Sequence, residues 1–264
     1  MNKNARFILA QYRRRRRFAV LRGGTRSGKT YAALQFLLLG LLAREFERVS
    51  VVAPTVPHLR RGALRDFLAI AEPYIRNKMF RYNKVEGIIH FGNAFIEFFS
   101  TDSPDRLRGA GREVVFMNEA NTHPVEAFDE LEVRTEKFMI LDFNPTAEFW
   151  LTERFRQMGL SLRAHEIVTT YRDNPYLPTS QVRSIERRRG IAGWWRVYGE
   201  GRYGEPTGVA WYNWEVGDVE ERGEHILGVD FGQGASPTAI VAVRREDGER
   251  FTAWELAYGN ISLR

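Results

Sequence analysis

The feature that most constrains this chain is a glycine-rich stretch at residues 23–30, which fits the phosphate-binding pattern G-x-x-x-x-G-K-[ST]. Residues 18–21 before it are apolar and predict a buried strand. Residues 31–44 after it are rich in Leu and Ala and predict a helix. A glycine-rich turn between a strand and a helix points backbone N–H groups at one spot, where the helix dipole also favours an anion. The stretch therefore predicts an NTPase.

Two side chains of this loop have predicted roles of their own. Lys29 would reach the β- and γ-phosphates of a nucleotide, and the hydroxyl of Thr30 would ligate Mg²⁺. A nucleoside triphosphate and Mg²⁺ are therefore the expected ligands. The residues predicted to bind the nucleotide are Gly23, Gly24, Thr25, Arg26, Ser27, Gly28, Lys29 and Thr30.

The composition narrows the class of protein. The 264 residues are 44% hydrophobic and 27% charged, which suits a globular chain with a substantial core. The absence of cysteine excludes disulfides, thiolate zinc sites and a cysteine nucleophile. A net charge of +6 suits a polyanionic partner such as nucleic acid, although solubility alone also explains it. The apolar run at residues 36–43 is too short to span a bilayer, and no apolar signal-peptide core is present, so we expect an intracellular protein.

Strand and helix signals alternate along the first 200 residues. This alternation predicts an α/β fold with βαβ units, a mainly parallel sheet and helices on both faces. The predicted strands are 18–21, 48–53, 113–117, 138–141 and 165–170, and the predicted helices are 31–44, 55–75 and 180–198.

Two groups of strands depart from this alternation. Residues 87–91 and 94–99 flank Gly92-Asn93 and predict a hairpin, which would add antiparallel strands to the main sheet. A β-meander is expected near the C-terminus, with a turn at Asp247-Gly248. Its strands are 226–232, 238–243 and 251–255.

Polar residues follow the predicted strands at the end where parallel sheets bind their ligands. Glu119 is the candidate base that activates water for hydrolysis. Asn118 stands where an Asp is usual, and an amide adds no negative charge beside a cation. It can still hydrogen-bond a Mg²⁺-bound water or the Thr30 hydroxyl. Asp142-Phe143-Asn144-Pro145 ends a strand with polar side chains and is a sensor of the γ-phosphate, an Asx turn before Pro145, or both.

Hydrolysis also needs a positive charge on the developing anion, and three arginines besides Arg26 are candidates. Arg26, inside the phosphate loop, would contact the γ-phosphate or a neighbouring subunit. Arg108, in a glycine-flanked loop, is a candidate arginine finger toward an adjacent subunit's nucleotide, with Arg106 and Arg112 as competitors. A solvated or DNA-facing charge is the open alternative for each.

Three other features have weaker functional interpretations. The run from Arg13 to Arg17 either contacts DNA phosphates or a neighbouring subunit, or is a solvated basic edge. Gln11 and Tyr12 lie just before the phosphate loop in sequence, where an adenine ring would pack. Asp230 ends a strand and is a candidate metal ligand, although one acid cannot build a two-metal site.

The order of these motifs resembles the large terminase subunit of tailed bacteriophages, the ATP-driven DNA-packaging motor. The similarity covers most of the chain, and the later motifs are more specific than the phosphate loop. The matching segments are residues 23–30, Arg108-Gly109, Asn118-Glu119-Ala120-Asn121, Asp142-Phe143-Asn144-Pro145, residues 170–175 and Gly228-Val229-Asp230-Phe231-Gly232.

The resemblance implies roles for single residues. Lys29 and Thr30 would be the phosphate and metal residues, Glu119 the catalytic base, Arg108 a finger acting in trans and Asn144 the coupling residue. Asn-Glu-Ala-Asn at 118–121 is similar to the defective-prophage branch of the family, so Asn118 is expected to be native. Asp230 matches the first nuclease acid. The family's other nuclease acids lie beyond Arg264, so we expect no nuclease activity from this chain.

The resemblance also implies an architecture and partners. The fold would be an additional-strand P-loop ATPase with a small lid subdomain, followed by the first strands of a ribonuclease H-like domain. The expected boundaries are 1–170 for the ATPase core, 171–204 for the lid, 205–225 for a linker and 226–264 for the nuclease fragment. The expected partners are double-stranded DNA, a ring of about five copies of the chain, the portal protein and the small terminase subunit, in the host cytoplasm.

Two other functions remain open on the sequence. A helicase-type DNA translocase would share the ATPase core, although separate helicase motifs are absent after Asn174-Pro175. A nucleotide-gated assembly factor with little turnover is the alternative outside enzymes, and Asn118 in place of an acid is the feature that supports it.

Overall fold

The computed structural model describes residues 2–102, 104–109, 111–204, 224–230, 238–245 and 251–259. It divides into two compact units, Met1–Thr207 and Gly208–Arg264. The strands of the first unit are β1 (Phe18–Gly23), β2 (Arg48–Ala53), β3 (Arg81–Asn83), β4 (Ile88–Phe91), β5 (Ala94–Ser100), β6 (Arg112–Asn118), β7 (Thr135–Phe143) and β8 (Glu166–Thr169).

Helices separate most of these strands, as the alternating pattern predicted. The α-helices are α1 (Lys3–Arg13), α2 (Lys29–Leu42), α3 (Val56–Arg61), α4 (Ala63–Arg76), α5 (Pro104–Leu107), α6 (Val125–Val133), α7 (Leu151–Gln157), α8 (Leu162–His165), α9 (Thr179–Glu186) and α10 (Ala192–Trp194). Among the described residues, no helix is both long enough and apolar enough to cross a lipid bilayer.

The strands of the first unit form a single mixed sheet in the order β3-β4-β5-β2-β6-β7-β1-β8. The pairing is parallel from β5 to the β8 edge: each strand in the run β5-β2-β6-β7-β1-β8 is parallel to the next. All seven residues of β6 are buried, because helices cover both faces of a parallel sheet. Strand β7 lies between β1 and β6, so an additional strand separates the strand of the phosphate loop from that of Glu119.

The core has one apolar cluster on each face of the sheet. One cluster joins the sheet to α1, α2 and α4 through Ile8, Leu37 and Phe67, which are completely buried. The other joins it to α6 and α7 through Phe128 and Phe155, also completely buried. Both faces are therefore closed by aromatic and aliphatic packing, which holds the strand ends in fixed positions.

The predicted hairpin is confirmed, and a third strand extends it. Strands β4 and β5 are antiparallel and turn at Gly92, whose φ of +58° suits glycine. Strand β3 continues the antiparallel edge by pairing with β4.

Three predicted segments differ from the structure. The helix expected at 55–75 divides into α3 and α4 at Gly62, whose backbone (φ −108°, ψ −109°) is not helical. The loop expected before β6 contains the short helix α5. The helix expected at 180–198 ends with α9 and resumes as α10 and a π-helical turn at Trp195–Gly199, and Gly190, a poor helix former, lies in the gap.

The second unit contains the predicted β-meander. Its strands are β9 (Ile226–Asp230), β10 (Thr238–Arg245) and β11 (Phe251–Gly259), antiparallel in the order β11-β10-β9. Residues 231–232, the turn at Asp247-Gly248 and most of the linker expected at 205–225 lie outside the described residues. The finer domain boundaries at 170, 204 and 225 stay predictions.

Gly40 offers a test of this packing. It lies inside α2, and a Cβ atom there would be 1.9 Å from the ring of Phe46, which is buried. An Ala usually stabilises a helix relative to Gly. We predict instead that Gly40→Ala destabilises the protein by about 1–3 kcal/mol, because the rigid core ring must move. Urea unfolding measures the effect.

The matched control is Gly193→Ala. Gly193 also lies in a helix, but a Cβ atom there would meet no atom within 4 Å. This substitution should be neutral or slightly stabilising. Equal stability of the two variants would show that the contact between Gly40 and Phe46 is not as tight as described.

Candidate nucleotide-binding site

The phosphate loop lies where the sequence predicted it, between β1 and α2. Gly28 is the N-cap of α2 and has a φ of +79°, in the left-handed region that favours glycine. The first N–H groups of a helix have no intrahelical acceptor, and here they lie at a cavity of about 930 Å³. This is the geometry of an anion-binding helix terminus.

Two glycines anchor the loop to its surroundings. A Cβ atom on Gly23 would lie 2.0 Å from the carbonyl oxygen of Thr169, and one on Gly24 would lie 2.4 Å from that of Tyr198. The N–H groups of Gly24 and Thr25 donate to these two carbonyls at 3.0 and 2.9 Å. Only glycine fits this close approach, which attaches the loop both to β8 and to the segment predicted as a lid.

Lys29 is a buried cation without a carboxylate partner. Its ammonium group donates to four neutral oxygens: Gly23 O (3.1 Å), Gly24 O (2.9 Å), Ser27 Oγ (3.2 Å) and Asn144 Oδ1 (2.9 Å). Burial lowers the pKa of Lys29 to about 8, against the opposing influence of two nearby carboxylates. The group therefore holds a charge that an incoming phosphate would stabilise.

Asn118, at the end of β6, does not contact Thr30. Its Nδ2 donates to Asp142 Oδ1 at 2.9 Å, and the residue is buried. Of the two alternatives predicted for Asn118, the hydrogen bond to the Thr30 hydroxyl is not the one formed, and the contact with a Mg²⁺-bound water stays a prediction. The reason is the strand order, since β7 lies between β6 and the phosphate loop and its own side chain reaches Thr30 first.

Asp142, on β7, belongs to the predicted sensor segment 142–145, but its contact with Thr30 was not predicted from the sequence. Its Oδ2 accepts the Thr30 hydroxyl at 2.5 Å, and its Oδ1 accepts the backbone N–H of Glu119 at 2.9 Å. The available signal was the acid in the strand-end sequence at 142–145, a predicted sensor segment in which only Asn144 was given a role of its own. Position 142 thus places a carboxylate beside Thr30.

Glu119 lies at the cavity with its carboxylate accessible. Its φ of +58° is unusual for a residue with a side chain, and its Oε1 lies 2.9 Å from His58 Nε2. The side chains of both residues are about two-fifths exposed, at 41% and 42%. Glu119 is thus free to meet a water molecule in the cavity, as a general base must.

Comparison of the sequence with known protein families decides which family the chain belongs to. Residues 15–202, which are more than half of the chain, match the family described as phage terminase large subunit. The chain belongs to the phage terminase large subunit family. This is the family that the motif order predicted, so the P-loop fold class and the ATP-driven role in packaging viral DNA are confirmed.

Solved terminase structures show the same fold. The large terminase of a thermophilic bacteriophage is 15% identical, with a TM-score of 0.62 over 96% of this chain and 68% of that one. The HK97 bacteriophage large terminase is 12% identical, with a TM-score of 0.60 over 97% and 62%. An ATPase-domain variant from Thermus phage P74-26 is 20% identical, with a TM-score of 0.51 over 70% and 88%. A search of curated proteins gives no match.

The nucleotide cavity of this terminase is bordered by the segment predicted as a lid. Asn174 Nδ2 donates to Arg26 O at 2.9 Å, and Tyr176 and Gln181 line the same cavity. On the other side, Asn2 and Tyr31 border it. These cavity side chains could not be assigned from the sequence, because they reach the cavity only when α1 and the lid segment fold back toward the phosphate loop.

The adenine position predicted near Gln11 and Tyr12 is wrong. Tyr12 packs in edge contact with Phe36 and Phe138, at a separate apolar cavity. Gln11 is buried and donates to Ala164 O at 3.0 Å. Helix α1 turns back along the sheet, so its start rather than its end lies at the phosphate loop.

The candidate arginines of this terminase differ in what they contact. Arg26 is exposed and lines the cavity. Arg108 is exposed and does not line it, and Arg106 donates to Glu86 O at 3.0 Å. Arg112 is buried and donates to the Leu107 and Arg106 carbonyls, so its role as a competing finger is wrong. In the basic run, Arg17 pairs with Glu132.

The predicted metal ligand Asp230 belongs to the second unit. It is exposed at the end of β9 and pairs in register with Ala239. Its role as a ligand stays a prediction. Within the described ranges, no group of three or more His, Asp or Glu side chains is placed to hold a metal ion.

The lowered pKa of Lys29 gives a pH test. Below pH 8 the ammonium is charged and attracts phosphate, and above pH 8 the free protein loses that charge. A bound phosphate raises the pKa again. We predict that ADP affinity falls as pH rises above 8, by up to about tenfold per pH unit. Titration calorimetry from pH 7 to 9.5 measures this.

Lys29→Arg is the control for the pH test. Arginine keeps its charge throughout this range, so the affinity of the variant, although weaker, should not change with pH. A flat profile for the unaltered protein would show that Lys29 stays charged without a ligand.

Proposed function

We propose that this site binds ATP with Mg²⁺ and hydrolyses it to move double-stranded DNA into a procapsid. The observation that carries the proposal is the buried Lys29 ammonium, held by neutral oxygens at the mouth of the cavity. Burial disfavours this cation more strongly than the charges of Asp142 and Glu119 favour it, so a bound anion would stabilise it. The large terminase of the thermophilic bacteriophage, which is similar in fold, has been solved in complex with ADP.

The chemistry assigned to the site is in-line hydrolysis of the γ-phosphate. Glu119 accepts a proton from a cavity water as the water oxygen bonds to the γ-phosphorus, and the bond to the β-γ bridging oxygen breaks. Lys29 and the N–H groups of the loop stabilise the charge on the phosphate oxygens. Mg²⁺, held by the Thr30 hydroxyl and the phosphates, would neutralise the remaining negative charge.

Asn144 is proposed to couple the nucleotide to the moving parts. Its Oδ1 accepts from Lys29, so a phosphate that attracts the ammonium weakens this hydrogen bond. The loop also contacts the segment 171–204 through Tyr198 O and Asn174 Nδ2. Phosphate binding and release at Lys29 would therefore be transmitted to the proposed lid and move it relative to the sheet.

The proposed partners rest on the basic residues of the chain and on the position of Arg108 outside its own cavity. Basic residues would grip the DNA phosphates, so binding should weaken steeply with salt. Arg108 is exposed outside its own cavity, which supports a finger acting on the next subunit of a ring. We further propose about five subunits, the portal protein and the small terminase subunit as partners, in the host cytoplasm and on the procapsid.

Glu119 tests the hydrolytic assignment. Glu119→Gln removes the base but keeps its size, and we predict a loss of ATP turnover of about 100-fold or more with ADP affinity within about threefold. The control Glu126→Gln, an exposed acid of α6, should turn over normally. Unchanged turnover in the Glu119 variant would remove the residue from the mechanism.

Mixed rings test the arginine finger. Subunits with Arg108→Ala and subunits with Glu119→Ala are each expected to be inactive alone, and mixing them should recover turnover where an intact Arg108 meets an intact Glu119. The same mixture with Arg106→Ala serves as the comparison. A mixture that assembles normally and stays inactive would rule out a role in trans for Arg108.

A further inference from the structure

We infer that Asp142 supplies the negative charge of the Mg²⁺ site in place of Asn118, and that it does so by holding the Thr30 hydroxyl. The inference rests on the proposed function, because it assigns a positioning residue to that same site.

The first observation is the surroundings of the Asp142 side chain. It is 2% exposed, and no cationic side chain of the described ranges forms an ion pair with it. Its hydrogen-bond partners are all neutral: the Thr30 hydroxyl, the Asn118 amide and the Glu119 N–H. A buried carboxylate usually has a cation beside it. Asp142 is therefore a buried anion without a direct ion-pair partner: its charge favours the nearby Lys29 ammonium, but a cation bound beside Thr30 would be its first close counter-ion.

The second observation is the position of β7. Asp142 is in register with Leu21 of β1 on one side and with Asn118 of β6 on the other. Its carboxylate thus lies between the phosphate loop and Glu119. Positions 118 and 142 are equivalent places from which a carboxylate can face the same cation, and this chain uses the second.

The third observation is the direction of the hydrogen bond from Thr30. Because the hydroxyl donates its proton to Asp142, the lone pairs of the Thr30 oxygen remain available on the other side. Thr30 and Asp142 both line the nucleotide cavity. Mg²⁺ is typically bound by one or two protein oxygens together with substrate phosphates and waters, so no larger protein cluster is needed.

Asp142→Asn tests the inference because it reverses this hydrogen bond. The new amide donates to the Thr30 oxygen and occupies the lone pair that the cation needs. The substitution also removes a buried charge, so the variant should fold at least as stably as the unaltered protein without nucleotide. Asp142→Ser is measured in the same way if Asp142→Asn does not fold.

The readout is the affinity of Mn²⁺, as a probe for Mg²⁺, for the complex with ADP, measured by electron paramagnetic resonance. We expect Asp142→Asn to weaken it about 10- to 100-fold. ADP affinity without metal should stay within about threefold. The control Asp129→Asn removes the same charge from an acid of α6 that pairs with Arg154 and does not line the cavity, and it should leave Mn²⁺ affinity unchanged.

The exchange variant Asn118→Asp/Asp142→Asn tests whether the Thr30 hydrogen bond matters as well as the charge. It returns a carboxylate to the neighbouring strand but keeps the amide that donates to the Thr30 oxygen, so its Mn²⁺ affinity should stay low. A folded Asp142→Asn protein with normal Mn²⁺ affinity, or a folded exchange variant with fully restored affinity, would overturn the inference alone. Failure of the unaltered protein to bind ADP would instead overturn the proposed function.

Discussion

The structure of this terminase depends on a lysine ammonium group placed in the protein interior among neutral oxygens. Such a charge is costly, and its lowered pKa expresses that cost. It is held there because the glycine loop, β1 and the segment after β7 all supply oxygens to it. The buried core on both faces of the sheet fixes these elements, so the site is formed before the nucleotide arrives.

The additional strand β7 supplies a second group of polar residues to the site. Because β7 lies between β1 and β6, its polar end meets both the phosphate loop and the strand of Glu119. Asn144 contacts Lys29, and Asp142 contacts Thr30 and the backbone of Glu119. The amide at position 118 then no longer supports an assembly factor with little turnover, since a carboxylate is present one strand away.

The sequence alone predicted the features that are local in the chain. The phosphate loop is one contiguous segment whose glycines and lysine specify its geometry, and the hairpin at Gly92 is equally local. The pairing of Thr30 with Asp142 joins residues 112 positions apart and depends on strand order, which no motif records. The adenine position predicted at Tyr12 was wrong because α1 turns back, so a residue near the phosphate loop in sequence lies away from it in space. The finger role predicted for Arg112 was wrong because a glycine-rich sequence around an arginine does not reveal that its side chain is buried.

The central claim is that ATP hydrolysis by this protein drives double-stranded DNA into a capsid. Its most direct measurement is nuclease-protected DNA in procapsids that carry a portal, with the protein and the small subunit present. Protected DNA should accumulate with ATP and should stop accumulating with a non-hydrolysable analogue. Protection that is independent of hydrolysis, from a protein that binds nucleotide normally, would contradict it.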